Sequence, residues 1–262
     1  MAEAVLIPSG GGEIVGDAPD RRIEILSDDD SLHSTWSRYG PHREGADLHV
    51  HYEHTDLFYV LEGTLTVRLG TDDEQVPVGP GNLVRVPPLV VHGFRNASDG
   101  ELRYLNFHAP GRGFADFMRG LRDGRDVSYD QFPPPADGGR PTTEAAIGFR
   151  ELVAEDNGIR VELLADVETI GFAEVRADPG AAAPAPHAHR EHVESFYVLE
   201  GELTITAGGR EVSAGAGSWV QIPRGVPHAV SPSGAAGARF LGVHTPSYGL
   251  GERDEFPTGA RS

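Results

Sequence analysis

Hydrophobic positions along most of the chain come in short runs rich in Val, Leu, Ile, Phe, Tyr and Thr. LFYVLEGTLTVRLG from Leu57 and SFYVLEGELTITAGG from Ser195 are two of them, and Gly, Pro or Asp breaks the pattern every eight to twelve residues. Apolar and polar positions alternate in Thr64-Leu65-Thr66-Val67 and in Glu202-Leu203-Thr204-Ile205. Such alternation predicts strands with one buried and one wet face, as a barrel or sandwich requires. One stretch keeps a different period: Phe114, Phe117, Met118 and Leu121 are apolar at i, i+3, i+4 and i+7 between Gly113 and Gly124. It predicts a single amphipathic helix near 114–123 in an otherwise all-β chain. Phe58 and Val60, with Phe196 and Val198, alternate so as to face a barrel interior and are expected to pack as core.

The pattern is written twice. HVHYEHTDLFYVLEG at 49–63 and HAHREHVESFYVLEG at 187–201 are identical at ten of 15 positions, offset by 138. GNLVRVPPLVVHGF from Gly81 answers GSWVQIPRGVPHAV from Gly217, and YLNFHAP from Tyr104 answers FLGVHTP from Phe240, both offset by 136. DQFP at Asp130 has its counterpart in DEFP at Asp254. The chain therefore reads as a tandem duplication. The expected parts are a first barrel over 1–132 with its trailing helix, a Pro- and Gly-rich linker over 133–141, and a second barrel over 142–262.

Composition narrows the chemistry. All 22 basic side chains are Arg and there is no Cys, so lysine Schiff bases, thiolate nucleophiles, disulfides and Cys-ligated metals are excluded. The net charge of −18 repels phosphate backbones and anionic membranes, so neither nucleic acid nor membrane is expected as a partner. No run of about 18 apolar residues occurs and the start lacks a basic leader, which sets the expectation of a cytoplasmic protein.

Histidine is the residue left to carry chemistry, and ten of the 12 occupy repeat-equivalent positions. His187 and His189 are two apart, so on an extended chain both imidazoles project from one face. Glu194 follows at an odd step, which demands a bend between Arg190 and Val193 if its carboxylate is to join them. His228 follows the turn-like Pro223-Arg224-Gly225-Val226-Pro227. Three imidazoles and a carboxylate suit iron, manganese, nickel, copper or zinc, and in a six-coordinate ion they leave two positions open. The first half offers His49, His51, Asp56 and His92, with a carboxylate one methylene shorter. His54 and His192, beside Glu53 and Glu191 in the expected turn, read as solvated surface residues. His108 and His244 read as buried structural histidines, and His33 and His42 have no assigned role.

These residues resemble the cupins, and in particular the two-barrel bicupins. His187-Ala188-His189, Glu194 and Gly201 resemble the first cupin motif; Gly217, Pro223, Gly225 and His228 resemble the second. His49, His51, Asp56, Gly63, Gly81, Pro87, His92 and Asn96 match in the first half, with Asp56 for the usual Glu and Leu89 for the second-motif Gly; Pro232 stands where the second half would carry Asn. The resemblance implies two tandem jelly-roll barrels, each with at most one divalent transition metal, and it leans toward an enzyme. The nearest functional resemblance is to the quercetinase-like dioxygenases: a small aromatic or enolisable substrate at the open metal positions, with Glu194 as general base. The alternatives are a redox-silent isomerase or lyase using the same ion, and a small-molecule-binding cupin without turnover. A monomer and a homodimer are both compatible with a duplicated barrel.

Overall fold

The computed structural model describes residues 3–182 and 184–247; the repeat partner DEFP at 254–257 lies outside them. Two compact units result, one of Gly12–Phe149 and the other of the described residues up to Gly11 together with the described residues from Arg150 onward. We call them the N-terminal and C-terminal units.

β1 (Val5–Ile7) belongs to the C-terminal unit. The N-terminal unit comprises β2 (Glu13–Ala18), β3 (Arg21–Asp29), β4 (Leu32–Tyr39), β5 (Thr55–Glu62), β6 (Leu65–Leu69), β7 (Glu74–Val78), β8 (Leu83–Val86), β9 (His92–Arg95), β10 (Leu102–Ala109), α1 (Phe114–Asp123) and β11 (Ala146–Ile147). Its strands form a seven-stranded sheet ordered β11-β8-β5-β10-β4-β3-β2 and a three-stranded sheet ordered β7-β6-β9. Every pairing between these strands is antiparallel, giving a jelly-roll barrel. Phe58, Val60, Leu65, Val67, Phe94 and Tyr104 are buried on facing strands of this barrel, and Phe114 and Phe117 pack against them from α1.

The helix occupies the span its periodicity predicts. Gly113 and Gly124 bracket it in the left-handed region, and the Gly124 N–H closes the last turn on the Gly120 carbonyl. At its start the backbone N–H of Ala115 donates to Nδ1 of the buried His33 at 2.8 Å, so a strand residue caps the helix.

The C-terminal unit repeats the plan with β12 (Glu151–Asp156), β13 (Ile159–Val167), β14 (Ile170–Ala177), β15 (Val193–Ala207), β16 (Arg210–Gly215), β17 (Trp219–Ile222) and β18 (His228–Thr245). β15 and β18 each run through what are two separate strands in the N-terminal unit. The shared break is a glycine: Gly63 and Gly201 both have positive φ, at 78° and 74°. A Cβ there would stand 2.2 Å from the Glu101 carbonyl oxygen and 2.1 Å from that of Gly237. Only glycine permits that approach of two backbones. Phe196 and Val198 lie in the core of this unit, matching Phe58 and Val60 in the other.

Two segments behave differently from their sequence expectation. The residues up to Gly11, expected in the first barrel, supply β1 to the C-terminal unit, with Val5, Leu6 and Ile7 opposite Gln221, Val220 and Trp219. The stretch 133–141, expected as a linker, is part of the N-terminal unit: Arg140 bridges to Val90, and its N–H donates to the Leu89 carbonyl at 2.8 Å. Proline and glycine signal the absence of a regular strand, and that does not exclude docking by isolated backbone hydrogen bonds.

Candidate metal centres

In each unit the two-apart histidines lie on an extended segment leading into the strand of the carboxylate, β5 or β15, and the third opens β9 or β18. Backbone bridges between His49 and His92 and between His187 and His228 clamp these pieces together. The expected bend is present, with Arg190 and Glu191 in a bend ahead of Val193. The turn before the third histidine is fixed on the second: the Leu89 N–H donates to the His51 carbonyl at 2.7 Å and the Gly225 N–H to that of His189 at 2.6 Å. Gly225 has φ of 75°, and Leu89 holds the same left-handed conformation at 67°, a strain of about 1–2 kcal/mol for a residue with a Cβ.

His49, His51, Asp56 and His92 place one ligand atom each within 4.8 Å of one another, and so do His187, His189, Glu194 and His228. The chemistry of the donor set favours a cation. Nδ1 of His49 donates to the Asp47 carbonyl at 2.6 Å, Nδ1 of His92 to that of Val90 at 2.9 Å, and Nδ1 of His51 to that of Asp130. With the protons on Nδ1, the bare Nε2 lone pairs converge, those of His49 and His51 only 3.1 Å apart. Burial, with the charges of His92 and His51 added, lowers the pKa of His49 to about 3, so His49 carries no proton that could relieve the contact near neutral pH. A metal ion would.

The second cluster follows the same rule, with Nδ1 of His187 and His228 donating to the Ala185 and Val226 carbonyls at 3.0 and 2.9 Å. Glu194 Oε2 lies 3.1 Å from His189 Nε2 and 2.6 Å from His228 Nε2, while Oε1 accepts from His244 Nε2 at 3.0 Å. Burial alone would raise the carboxyl pKa, but His244, His189 and His228 outweigh it and hold it well below its ordinary value. Burial likewise opposes a charge on His228, yet Glu194 raises its pKa on balance. Glu194 therefore favours a proton on His228 at the place a cation would take. The shorter Asp56 still reaches its cluster, with Oδ2 at 3.3 Å from His92 Nε2 and 3.7 Å from His51 Nε2.

His54 and His192, expected on the surface, are 0% and 5% exposed. The turn that carries them is covered in the N-terminal unit by Asp130, whose carboxylate accepts from the Tyr52 and Glu53 N–H groups and from His54 Nδ1. Beside them Tyr129 Oη contacts His54 Nε2 at 2.9 Å and His108 Nδ1 at 2.7 Å, and His108 Nε2 donates to Asn106, which donates to Asp56 at 2.5 Å. His244 needs no such relay. It reaches Glu194 directly, because the residue in the Asn106 position is Gly242. Tyr129, Asp130 and Asn106 were missed as site residues; the repetition of DQFP was the one signal that pointed to Asp130.

A cavity opens onto each cluster, and the walls differ. Equivalent strand registers place Ile159, Ala173, Val175 and Ala177 of the C-terminal unit where the N-terminal unit has Arg21, Thr35, Ser37 and Tyr39. Phe240 and Gly242 likewise stand in the positions of Tyr104 and Asn106. Beyond the clusters themselves, these six polar wall positions of the first barrel are apolar or bare in the second.

Comparison with known proteins agrees with this plan. The description "Cupin domain" fits residues 35–108 and again 173–244, more than half of the chain. The chain is 31% identical over 120 residues to the quercetin 2,3-dioxygenase of Bacillus subtilis (strain 168), a match covering 45% of this chain and 34% of that protein. It thus spans about a third of that relative's length. Among solved structures, an oxalate decarboxylase mutant of Bacillus subtilis superposes with a TM-score of 0.65 at 17% identity, over 94% of this chain and 78% of that one. The formate complex of Lactobacillus farciminis oxalate decarboxylase gives 0.65 at 14% identity, over 94% and 87%. At those identities the likeness speaks for the fold. Motif, fold and twofold match together make this chain a member of the cupin family, a bicupin with a group of side chains able to hold a metal ion in each of its two barrels.

Proposed function

We propose that the C-terminal unit is a metal-dependent dioxygenase acting on a small aromatic or enolisable substrate. The observation that carries this reading is the cavity over His187, His189, Glu194 and His228, whose walls include Val175, Phe196, Leu203, Val230 and Phe240. An apolar chamber ending in a metal-ligating cluster suits a flat, weakly polar molecule that presents one hydroxyl to its base. Gly242 leaves room beside the carboxylate where the other barrel has an amide. The similarity to a quercetin 2,3-dioxygenase supports the same substrate class.

A divalent transition metal bound by the three imidazoles and Glu194 would supply a Lewis-acid centre and, if redox-active, a path for electrons to dioxygen. The protein's own part is proton handling. Glu194 Oε2 faces the ligand cluster and Oε1 is held by His244. A substrate hydroxyl directed at Oε2 would lose its proton to the carboxylate while His244 keeps the group from turning away. Phe196 and Phe240 wall the chamber and exclude water from the deprotonated substrate.

The test is oxygen consumption by metal-analysed protein with flavonol and diketone substrates. Stoichiometric uptake of dioxygen is expected, and Glu194→Gln should lose bound metal and at least 100-fold of turnover. Turnover that proceeds equally without oxygen would replace this reading with a lyase or isomerase. Full metal content and full turnover in Glu194→Gln would overturn the role of the carboxylate.

A further inference from the structure

Arg21 is out of place electrostatically. In a chain with 40 acidic side chains, no acidic partner reaches its guanidinium among the described residues, and its Nε is shielded from solvent with no hydrogen-bond partner. Arg22, one residue on, pairs with Glu24 at 2.6 Å. A shielded donor without an acceptor is unfavourable, more so on a charged group, so a half-buried cation left this way is poised for an anion from outside.

Its surroundings say which anion. Arg21 lines the cavity of the N-terminal unit, opposite Tyr39 in the β3–β4 register. Two and four residues along β4 from Tyr39 stand Ser37 and Thr35, and Thr35 is opposite Asn106, which donates to Asp56. A polar ladder roughly 13 Å long thus leads from the arginine to the carboxylate of the first cluster. Phe94, Tyr104, Phe114 and Phe117 wall the same space. The C-terminal unit replaces Arg21 with Ile159 and Tyr39, Ser37 and Thr35 with Ala177, Val175 and Ala173, so the barrel fold itself does not require these polar groups.

We propose that the N-terminal cavity is a binding site for an aromatic carboxylate, its ring between Phe94, Tyr104 and the α1 phenylalanines and its carboxylate held on the Arg21 guanidinium. The first barrel then takes an anion for which the second, with Ile159 in the place of Arg21, offers no counter-charge at that position. This assignment rests on the first cavity and stands apart from the oxygenase reading of the second.

Calorimetric titration of the full chain with benzoate and with benzamide, its uncharged near-isostere, tests it. Benzoate is expected to bind at least tenfold more tightly than benzamide. Arg21→Ile, which installs the side chain the other barrel carries at this position, should lose at least tenfold in benzoate affinity and leave benzamide unchanged. Arg21→Lys, which keeps the charge but not the fork, should fall between the two and stands in should the isoleucine variant fail to fold. Equal affinity for the two probes, no benzoate binding at millimolar concentration, or benzoate binding unchanged in both variants overturns the proposal.

Discussion

A single proton decides the state of the C-terminal cluster. His228 Nδ1 is committed to the Val226 carbonyl, so in the absence of a metal the proton favoured by Glu194 sits on Nε2, where an ion would bind. The folded pKa of His228 lies above its ordinary 6.5. The pair with Glu194 therefore stabilises the metal-free protein below the unfolded value, and that contribution is lost as pH rises through the folded one. Metal competes with this proton, so affinity should fall as pH drops below the folded pKa and recover above it. Titrating metal-stripped protein with Zn²⁺ between pH 5.5 and 8.5 should show tighter binding and a larger gain in Tm at the alkaline end; a flat profile would contradict the assignment of the proton. The grouping of His49, His51, Asp56 and His92, and of His187, His189, Glu194 and His228, was legible in the sequence because three of each four sit close together in one stretch and the fourth recurs at an equivalent position of both halves. The burial of His54 was not, since Asp130, the residue that covers it, is 76 positions away and belongs to a stretch with no periodicity.

Among the elements, the glycine break between β5 and β6, repeated within β15, is a tight backbone constraint. Gly63→Ala or Gly201→Ala would push a methyl into a carbonyl oxygen and should cost about 3 kcal/mol or more, measured by denaturant unfolding, whereas Gly215→Ala meets nothing within 4 Å and should be near neutral. The helix is held differently. Glu13 on β2 receives Arg119 at 2.7 Å and Arg122 at 3.0 Å, and these bonds lower its carboxyl pKa, Arg119 foremost. A lowered folded pKa means stability that is present above about pH 4.5 and lost on acidification through the folded value. Because the Glu13 side chain is 39% exposed, Glu13→Gln should cost less than about 1 kcal/mol at pH 7 and progressively less as pH is lowered through the folded value. The helix and the paired strands were readable from apolar spacing and from the duplication. The contrast between the cavity walls was also present in the aligned halves, but its meaning depended on strand register, which tells which of two alternating faces looks inward.

For the whole molecule, the duplication yields two barrels of one design with unequal contents. Loss of the six residues from Val5 to Gly10 should strip β17 of its outer neighbour and destabilise the C-terminal unit by about 1–3 kcal/mol, while the N-terminal unit unfolds at its former temperature. Calorimetry that resolves the two transitions would show it, and a shift in both would disagree. Nothing in a three-residue apolar run announces a partner more than 200 positions away, which explains why this pairing escaped the sequence.

The same pairing imposes an order in time. Gly12–Phe149 leaves the ribosome as one uninterrupted stretch with everything its barrel requires, whereas Val5–Ile7 must wait for Trp219–Gln221. At about 5–20 residues per second, that wait is on the order of 10–40 s. The N-terminal unit has the chance to fold before the C-terminal one can close, and a nascent chain from which Phe149 has just emerged would carry a complete barrel and one unsatisfied strand ahead of it.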